Sequence, residues 1–345
     1  MGVTRVARVT GLDRAGVEVA CAVRPRGHVL QVSNGKGLTF AEAARGALLE
    51  AAELHASEAV PPGAGPLLLV AAQDLLGGEP TLVPARAVYC PPPGARPLAG
   101  PEARWTSNGM GAHPSRAAAL LHALLEAAER DQVARALPRF WTRAAVERRL
   151  LHRASLARSA PVAARLAARI EARGFEVFLF DLVPGPGSGS GSGPRPRPAS
   201  ISSDRWSLGL PVAGALLFDT HLGPQPVTAG YACALSRDRA LTAALLEAAQ
   251  SRLTDIHGAR EDVAPMDPEA AALLHAFCRE ARGARPASRL PHHPVRGARA
   301  DLGRVLRLLR AAGIAQVPWV DLSPPGLGVC VVRVLVPGLR LTELL

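Results

Sequence analysis

"SNGKG" spans residues 33–37 and "SNGMG" spans 107–111, and each is followed by the same heptamer, "ALLEAAE", at 47–53 and at 123–129. Locally, each copy reads as a glycine-rich turn leading into a helix. Positions i and i+3 of an α-helix share a face, so Glu50 with Glu53 and Glu126 with Glu129 present paired carboxylates. A third copy of the hexamer, "ALLEAA" at 244–249, places Glu247 and Gln250 in the same relation. An exposed like-charge pair costs only about 0.2–0.5 kcal/mol, so one copy would mean little in an alanine-rich chain. Three copies, two of them behind an SNGxG turn, point to a shared site.

Working outward, residues 15–33 read as two short strands around a Pro/Gly turn. A helix is expected over 40–58, entered through Thr39 with Glu42 at the capping-box spacing. A second helix is expected over 115–137 with Ser115 as its N-cap, and a third over 237–256. "RAAVERRLLHRAS" (143–155) and "PVAARLAARIEARG" (161–174) have the three-and-four spacing of helices. "FEVFLFDLV" (175–183) and "WSLGLPVAGALLFD" (206–219) would form a hairpin, interrupted by a flexible Gly/Ser and Pro/Arg loop insertion at 184–200. Cys233 falls where a ligand-facing loop would precede the third helix. Further helices at 267–282 and 299–313 and strands in 315–322 and 328–338 complete an α/β chain without regular βαβ alternation, taken as a single domain over 1–345.

At 345 residues and 48% hydrophobic content the chain can bury a full core, which excludes a disordered protein. No apolar run is long enough to span a bilayer, and the N-terminus lacks a signal-peptide core, so a cytoplasmic protein is expected. Five scattered cysteines without CxxC spacing argue against a disulfide framework or a thiolate metal site. The net charge of +11 raises nucleic-acid binding, but aromatic residues are 4% of the chain and the arginines form no stripe, so nucleic acid is not the expected partner.

The basic residues are 39 arginines and one lysine, Lys36. A compact ammonium between two glycines suits a phosphate contact. If the glutamate helices converge, four carboxylates call for cations, and Mg2+ is the natural choice because it prefers oxygen ligands and arrives with phosphates. Lys36, Arg130 and Arg252 would then meet phosphate oxygens. This nucleotide site has no Walker A loop, and the "GSGSGSG" run belongs to the linker.

The three segments 33–58, 106–131 and 245–262, with the opening 2–25, resemble the three ATP-binding motifs and the N-terminus of the YcaO family, in order, from about residue 3 to 336. The resemblance implies an unusual α/β fold whose pseudo-symmetric helix and strand units bind Mg-ATP. Family members activate a backbone amide of a precursor peptide or protein: a nucleophile adds to the carbonyl, the oxyanion takes the γ-phosphate, and phosphate leaves. Azoline, thioamide or amidine products follow from the nucleophile. By the same resemblance Glu50, Glu53, Glu126 and Glu129 match the metal carboxylates. Arg130, Gln250 and Arg252 match the polar nucleotide contacts, Ser107, Asn108 and Arg260 fall in motif segments of the same set, Lys36 joins them as the phosphate contact read above, and no catalytic residue is assigned. His55, His113, His122 and His257 read as structural histidines and Cys233 as a structural thiol.

Two departures stand out. Gly46 replaces a serine before "ALLEAAE", and "GAHP" at 111–114 replaces a motif whose asparagine would fall at Pro114. The closing "VLVPGLRLTELL" (334–345) has one proline, so the proline-spaced tail of azoline-forming members is not expected. The expectation is an amide-activating homodimer working with a separate TfuA-like or ThiF-like, leader-peptide-binding partner. A catalytically impaired scaffold is the second reading and a basic binding protein the third.

Overall fold

The computed structural model describes all residues except 29, 61–67, 91, 93–104, 185–205, 222, 224, 259–265, 283–284 and 341–345. The expected insertion at 184–200, apart from Pro184, and Arg260 therefore lie outside the described residues.

The continuous apolar run in "EVACAV", buried on both faces, makes β2 (Glu18–Val23), which is central between β1 (Arg5–Arg8) and β3 (Val32–Gly37) in an antiparallel sheet. α1 (Phe40–Ser57) follows at once. Its entry is fixed locally: Thr39 Oγ1 accepts the Glu42 N–H, and the Glu42 side chain accepts the Thr39 N–H, the reciprocal capping box that the spacing predicts.

A five-stranded sheet has the order β5 (Pro80–Pro84), β4 (Leu69–Asp74), β10 (Pro318–Asp321), β11 (Cys330–Val334), β6 (Met110–His113). α2 (Arg116–Ala136) leaves β6 and packs on β6 and β11. The chain continues through α3 (Arg143–Arg149), the single turn α4 (Leu156–Ser159) and α5 (Pro161–Glu171). The one helix expected over 143–155 stops at Arg149, because Leu150 and Leu151 leave it to bridge Phe180 and Arg285.

The third sheet is the expected hairpin, β7 (Phe175–Asp181) with β8 (Val212–Asp219), extended by β9 (Val227–Cys233). The segment around Cys233 is thus strand, not loop. α6 (Arg237–Ile256) covers β8 and β9, with α5 beside it, over the largest apolar core, where Leu166, Ile170, Leu217, Leu241 and Leu245 are buried. α7 (Pro268–Glu280) and α8 (Ala298–Ala311) complete the outer layer. No helix among the described residues is long and apolar enough to cross a membrane.

Three strand–helix seams place the long helices. A Cβ on Gly35 of β3 would lie 2.0 Å from the Ala43 carbonyl oxygen of α1; one on Gly111 of β6, 2.3 Å from that of Ala119 in α2; one on Gly230 of β9, 2.3 Å from that of Ala244 in α6. Only glycine lets helix and strand backbones approach so closely.

These seams correct the reading of the repeat. "SNGKG" is strand, not turn: Asn34 pairs with Cys21 and Lys36 with Val19. In "SNGMG" residues 107–109 do turn, with Gly109 at φ 82° and the Met110 N–H bonded to the Ser107 carbonyl, and the strand begins afterwards. The equivalent glycines are Gly35 and Gly111, each twelve residues before its "ALLEAAE", so the quoted SNG letters sit two residues out of structural register. The third hexamer is shifted too. In packing register Ala244 matches Ala43, which puts Glu247 opposite Gly46 and not opposite Glu50.

Candidate functional site

Each seam directs a glutamate onto the next unit. Glu53 of α1 accepts the N–H of Ala112 in β6. Glu129 of α2 accepts the N–H of Cys233 in β9 at 3.1 Å. Glu247 of α6 returns to the first unit, with Oε2 2.6 Å from Lys36 Nζ in β3. Glu50 closes its own unit by accepting the Asn34 N–H at 2.8 Å, while the Asn34 side chain donates to Thr254 Oγ1 at 3.1 Å. Three pseudo-equivalent seams thus form a ring around one acidic cluster, and despite its shifted register the third copy supplies a carboxylate to it.

The five glutamates are half-buried, each keeping surface open to a ligand. Burial pushes the Glu126 carboxyl up to about 7, with Glu247 adding and Arg130, Arg333 and Lys36 opposing. Glu129 is raised by burial and then by Glu247 and Glu126, and Glu53 is raised well above its ordinary value by burial, Glu126 and Glu50. Carboxylates crowded this way lack positive charge, and a divalent cation is the chemistry that relieves them. Among the described residues no three His, Cys, Asp or Glu groups close into a metal cage.

Lys36, Arg130, Glu50, Glu53, Glu126 and Glu129 are therefore brought together. Gln250 lies half-buried one turn beyond Glu247 on α6. Arg252 does not join them. Its Nε donates to Asp13 at 2.8 Å, Nη2 to Asp219 at 2.6 Å and Nη1 to the Gln225 carbonyl, while its guanidinium lies over the Phe175 ring. Five residues past Glu247, it points into the core and clamps Asp13, in the connection between β1 and β2, to Asp219 at the end of β8. Ser107 is exposed in its turn, and Asn108 lines a cavity together with Ala127 and Arg333. Ser115 starts α2 without using its hydroxyl; its N–H donates to His113 Nδ1 at 2.9 Å.

Arg333 was not visible as a site residue in the sequence. It is 95% buried on β11, donates from Nη1 to the Thr106 carbonyl at 2.9 Å, and bears electrostatically on Glu126. Its signal was a lone charge in the valine-rich "VCVVRVLV". The Cys21 thiol, raised to about 11 by burial and by Glu50, donates to Asn34 Oδ1 and is not a nucleophile at neutral pH.

The family model for YcaO cyclodehydratase, ATP- and Mg2+-binding, matches residues 63–340, and the chain belongs to that family. It is an ATP-dependent enzyme whose cofactors are ATP and Mg2+. It is 30% identical to an uncharacterized protein of Methanothermobacter thermautotrophicus, over 99% of this chain and 90% of that one. It is 28% identical to an uncharacterized protein in the tfuA 3' region of Rhizobium leguminosarum bv. trifolii, over 98% and 84%. In fold it is similar to the YcaO protein of Methanopyrus kandleri bound with AMPPCP and Mg2+ (TM-score 0.68, 23% identity, 98% of this chain and 86% of that one). It is also similar to a heterocyclase in complex with substrate and cofactor (TM-score 0.72, 17% identity, 98% of this chain), of whose length it spans half. The expected α/β fold of the YcaO type is the fold observed.

Proposed function

We propose that this enzyme activates a backbone amide of a peptide or protein substrate by transferring the γ-phosphoryl group of ATP to the amide oxygen as a nucleophile adds, releasing ADP and then phosphate. The observation that carries the reading is the closed ring of carboxylates, with Lys36, Arg130 and Arg333 at its edge. Glu50, Glu53, Glu126 and Glu129 would hold Mg2+, which would neutralise phosphate charge when bound. Lys36 and Arg130 would contact phosphate oxygens, and Gln250 would add a polar contact from α6.

Thioamide formation with a TfuA-like partner is the favoured product class, supported by the relative whose name places it beside tfuA. Azoline formation with a ThiF-like partner is the second, supported by fold likeness to a heterocyclase. Each of the two sequence departures sits in ordinary packing. A Cβ on Gly46 would touch only Gly35 Cα at 3.4 Å and Lys36 N at 3.8 Å, and the Pro114 carbonyl faces the Cys330 thiol at 3.8 Å.

Calorimetry with Mg-AMPPCP on wild type and Glu126→Ala tests the site: wild type binds and the variant does not, and no binding by wild type rejects the reading. With Mg-ATP, a precursor peptide and the partner, product mass then separates oxygen-to-sulfur exchange from loss of water.

A further inference from the structure

A cavity of about 320 Å3 opens beside the acidic cluster, between α2 and the chain that follows β11. Ala127, Val336 and Leu339 give it apolar walls, and Trp105 stands at its side. Two polar atoms in its lining are buried without a hydrogen-bond partner among the described residues: Arg333 Nε, a donor, and Asn108 Oδ1, an acceptor. A buried polar atom without a partner costs about 1–3 kcal/mol, so a donor and an acceptor left open in one cavity specify a ligand that supplies the complements.

A peptide bond is such a ligand. We infer that this cavity receives the backbone amide to be activated, its carbonyl oxygen accepting from Arg333 Nε and its N–H donating to Asn108 Oδ1. The inference rests on the amide-activation reading above and names the substrate subsite of that site. Three observations favour an amide over the nucleobase. The donor is a fixed cation, held through Nη1 by the Thr106 carbonyl, and such a donor suits an oxygen that gains negative charge during reaction better than a neutral ring nitrogen. Arg333 also acts on Glu126, which puts this edge of the cavity at the metal and phosphate end of the cluster, where the amide oxygen must meet the γ-phosphate. The remaining walls are mostly aliphatic, fitting a side chain next to the amide. Asn108 is then a substrate residue, in place of the nucleotide contact that motif resemblance implied.

The test compares two small probes with a single carbonyl each, N-methylisobutyramide and methyl isobutyrate, read through the Arg333 side-chain Nε–H resonance by NMR, with Arg333→Lys used for its assignment. The expected result is a saturable shift with the amide, about tenfold weaker binding of the ester, which lacks the N–H, and no displacement by Mg-AMPPCP. Asn108→Leu should erase the preference for amide over ester, and Asn108→Asp, which keeps an acceptor, should retain it. Absence of any Arg333 shift with the amide, equal binding of amide and ester by wild type, or displacement of the amide by Mg-AMPPCP overturns the inference. Calorimetry showing no Mg-AMPPCP binding would reject the ATP reading instead, and the amide titration of the nucleotide-free protein would still decide the cavity.

Discussion

Lys36 Nζ lies 2.6 Å from Glu247 Oε2, so the only lysine of the chain joins the first sheet to the helix of the third. Both side chains are about a quarter exposed, and a pair this open to solvent contributes at most about 1 kcal/mol to stability. Under the proposed function it is a loaded contact: an ammonium already at the cluster that would leave Glu247 for a phosphate oxygen. Lys36→Met is expected to weaken Mg-AMPPCP binding about tenfold or more in calorimetry while changing the urea midpoint little. Lys36→Arg should restore only part of the affinity, because a planar fork replaces a point charge. Unchanged affinity in Lys36→Met would remove the lysine from the site.

The raised carboxyls set the sign of a pH effect. A carboxyl held above its unfolded value binds more protons folded than unfolded, so the stability of the metal-free protein falls as pH rises from 4.5 toward about 7, the value of Glu126. Thermal midpoints of metal-free protein should fall across that window, Glu126→Gln should flatten the fall, and Mg-AMPPCP should reverse it. Metal binding must also release protons, so calorimetric heats at neutral pH should vary with the ionisation enthalpy of the buffer. Heats independent of the buffer would contradict the raised carboxyls.

Arg252 belongs to the fold. Removing it leaves Asp13 without its ion pair and Asp219 with Arg14 alone, all but Arg14 being buried. Arg252→Met is expected to cost about 3–5 kcal/mol in urea unfolding, while the protein that remains folded binds Mg-AMPPCP with wild-type affinity. A selective loss of nucleotide affinity at unchanged stability would return Arg252 to the binding set.

The seams discriminate between glycines. Gly35→Ala and Gly111→Ala force a methyl to within 2.0 and 2.3 Å of a helix carbonyl oxygen and should cost about 3 kcal/mol or more each. Gly46→Ser adds a side chain at ordinary contact distance and should move the unfolding midpoint by less than about 0.5 kcal/mol. Equal costs at the three positions would mean that the seams are not the tight contacts described.

What was legible in the sequence was local. The start of α1 follows from Thr39 and Glu42, and α6 starts and stops at the expected residues because periodicity and flanking residues suffice. The convergence of Glu50, Glu53, Glu126 and Glu129 follows from a repeated face. The rest depended on contacts distant in sequence. Whether "SNGKG" is turn or strand is decided by pairing with residues 18–23 and by Gly35 meeting α1. Periodicity put Arg252 on a helix but could not show that Asp13, 239 residues earlier, waits for it. Arg333 looked like one arginine among 39, and only burial beside Glu126 distinguishes it.

The ring formed by Glu53 on Ala112, Glu129 on Cys233 and Glu247 on Lys36 makes the cradle a property of the assembled trio and of no single unit. A ligand there acts as a keystone: its binding free energy is added to three junctions at once, since opening any one of them dismantles the cradle. Amide protons of β3, β6 and β9, in three separate sheets, should therefore slow their hydrogen exchange together when Mg-AMPPCP is added, and a cut in any one junction should release all three.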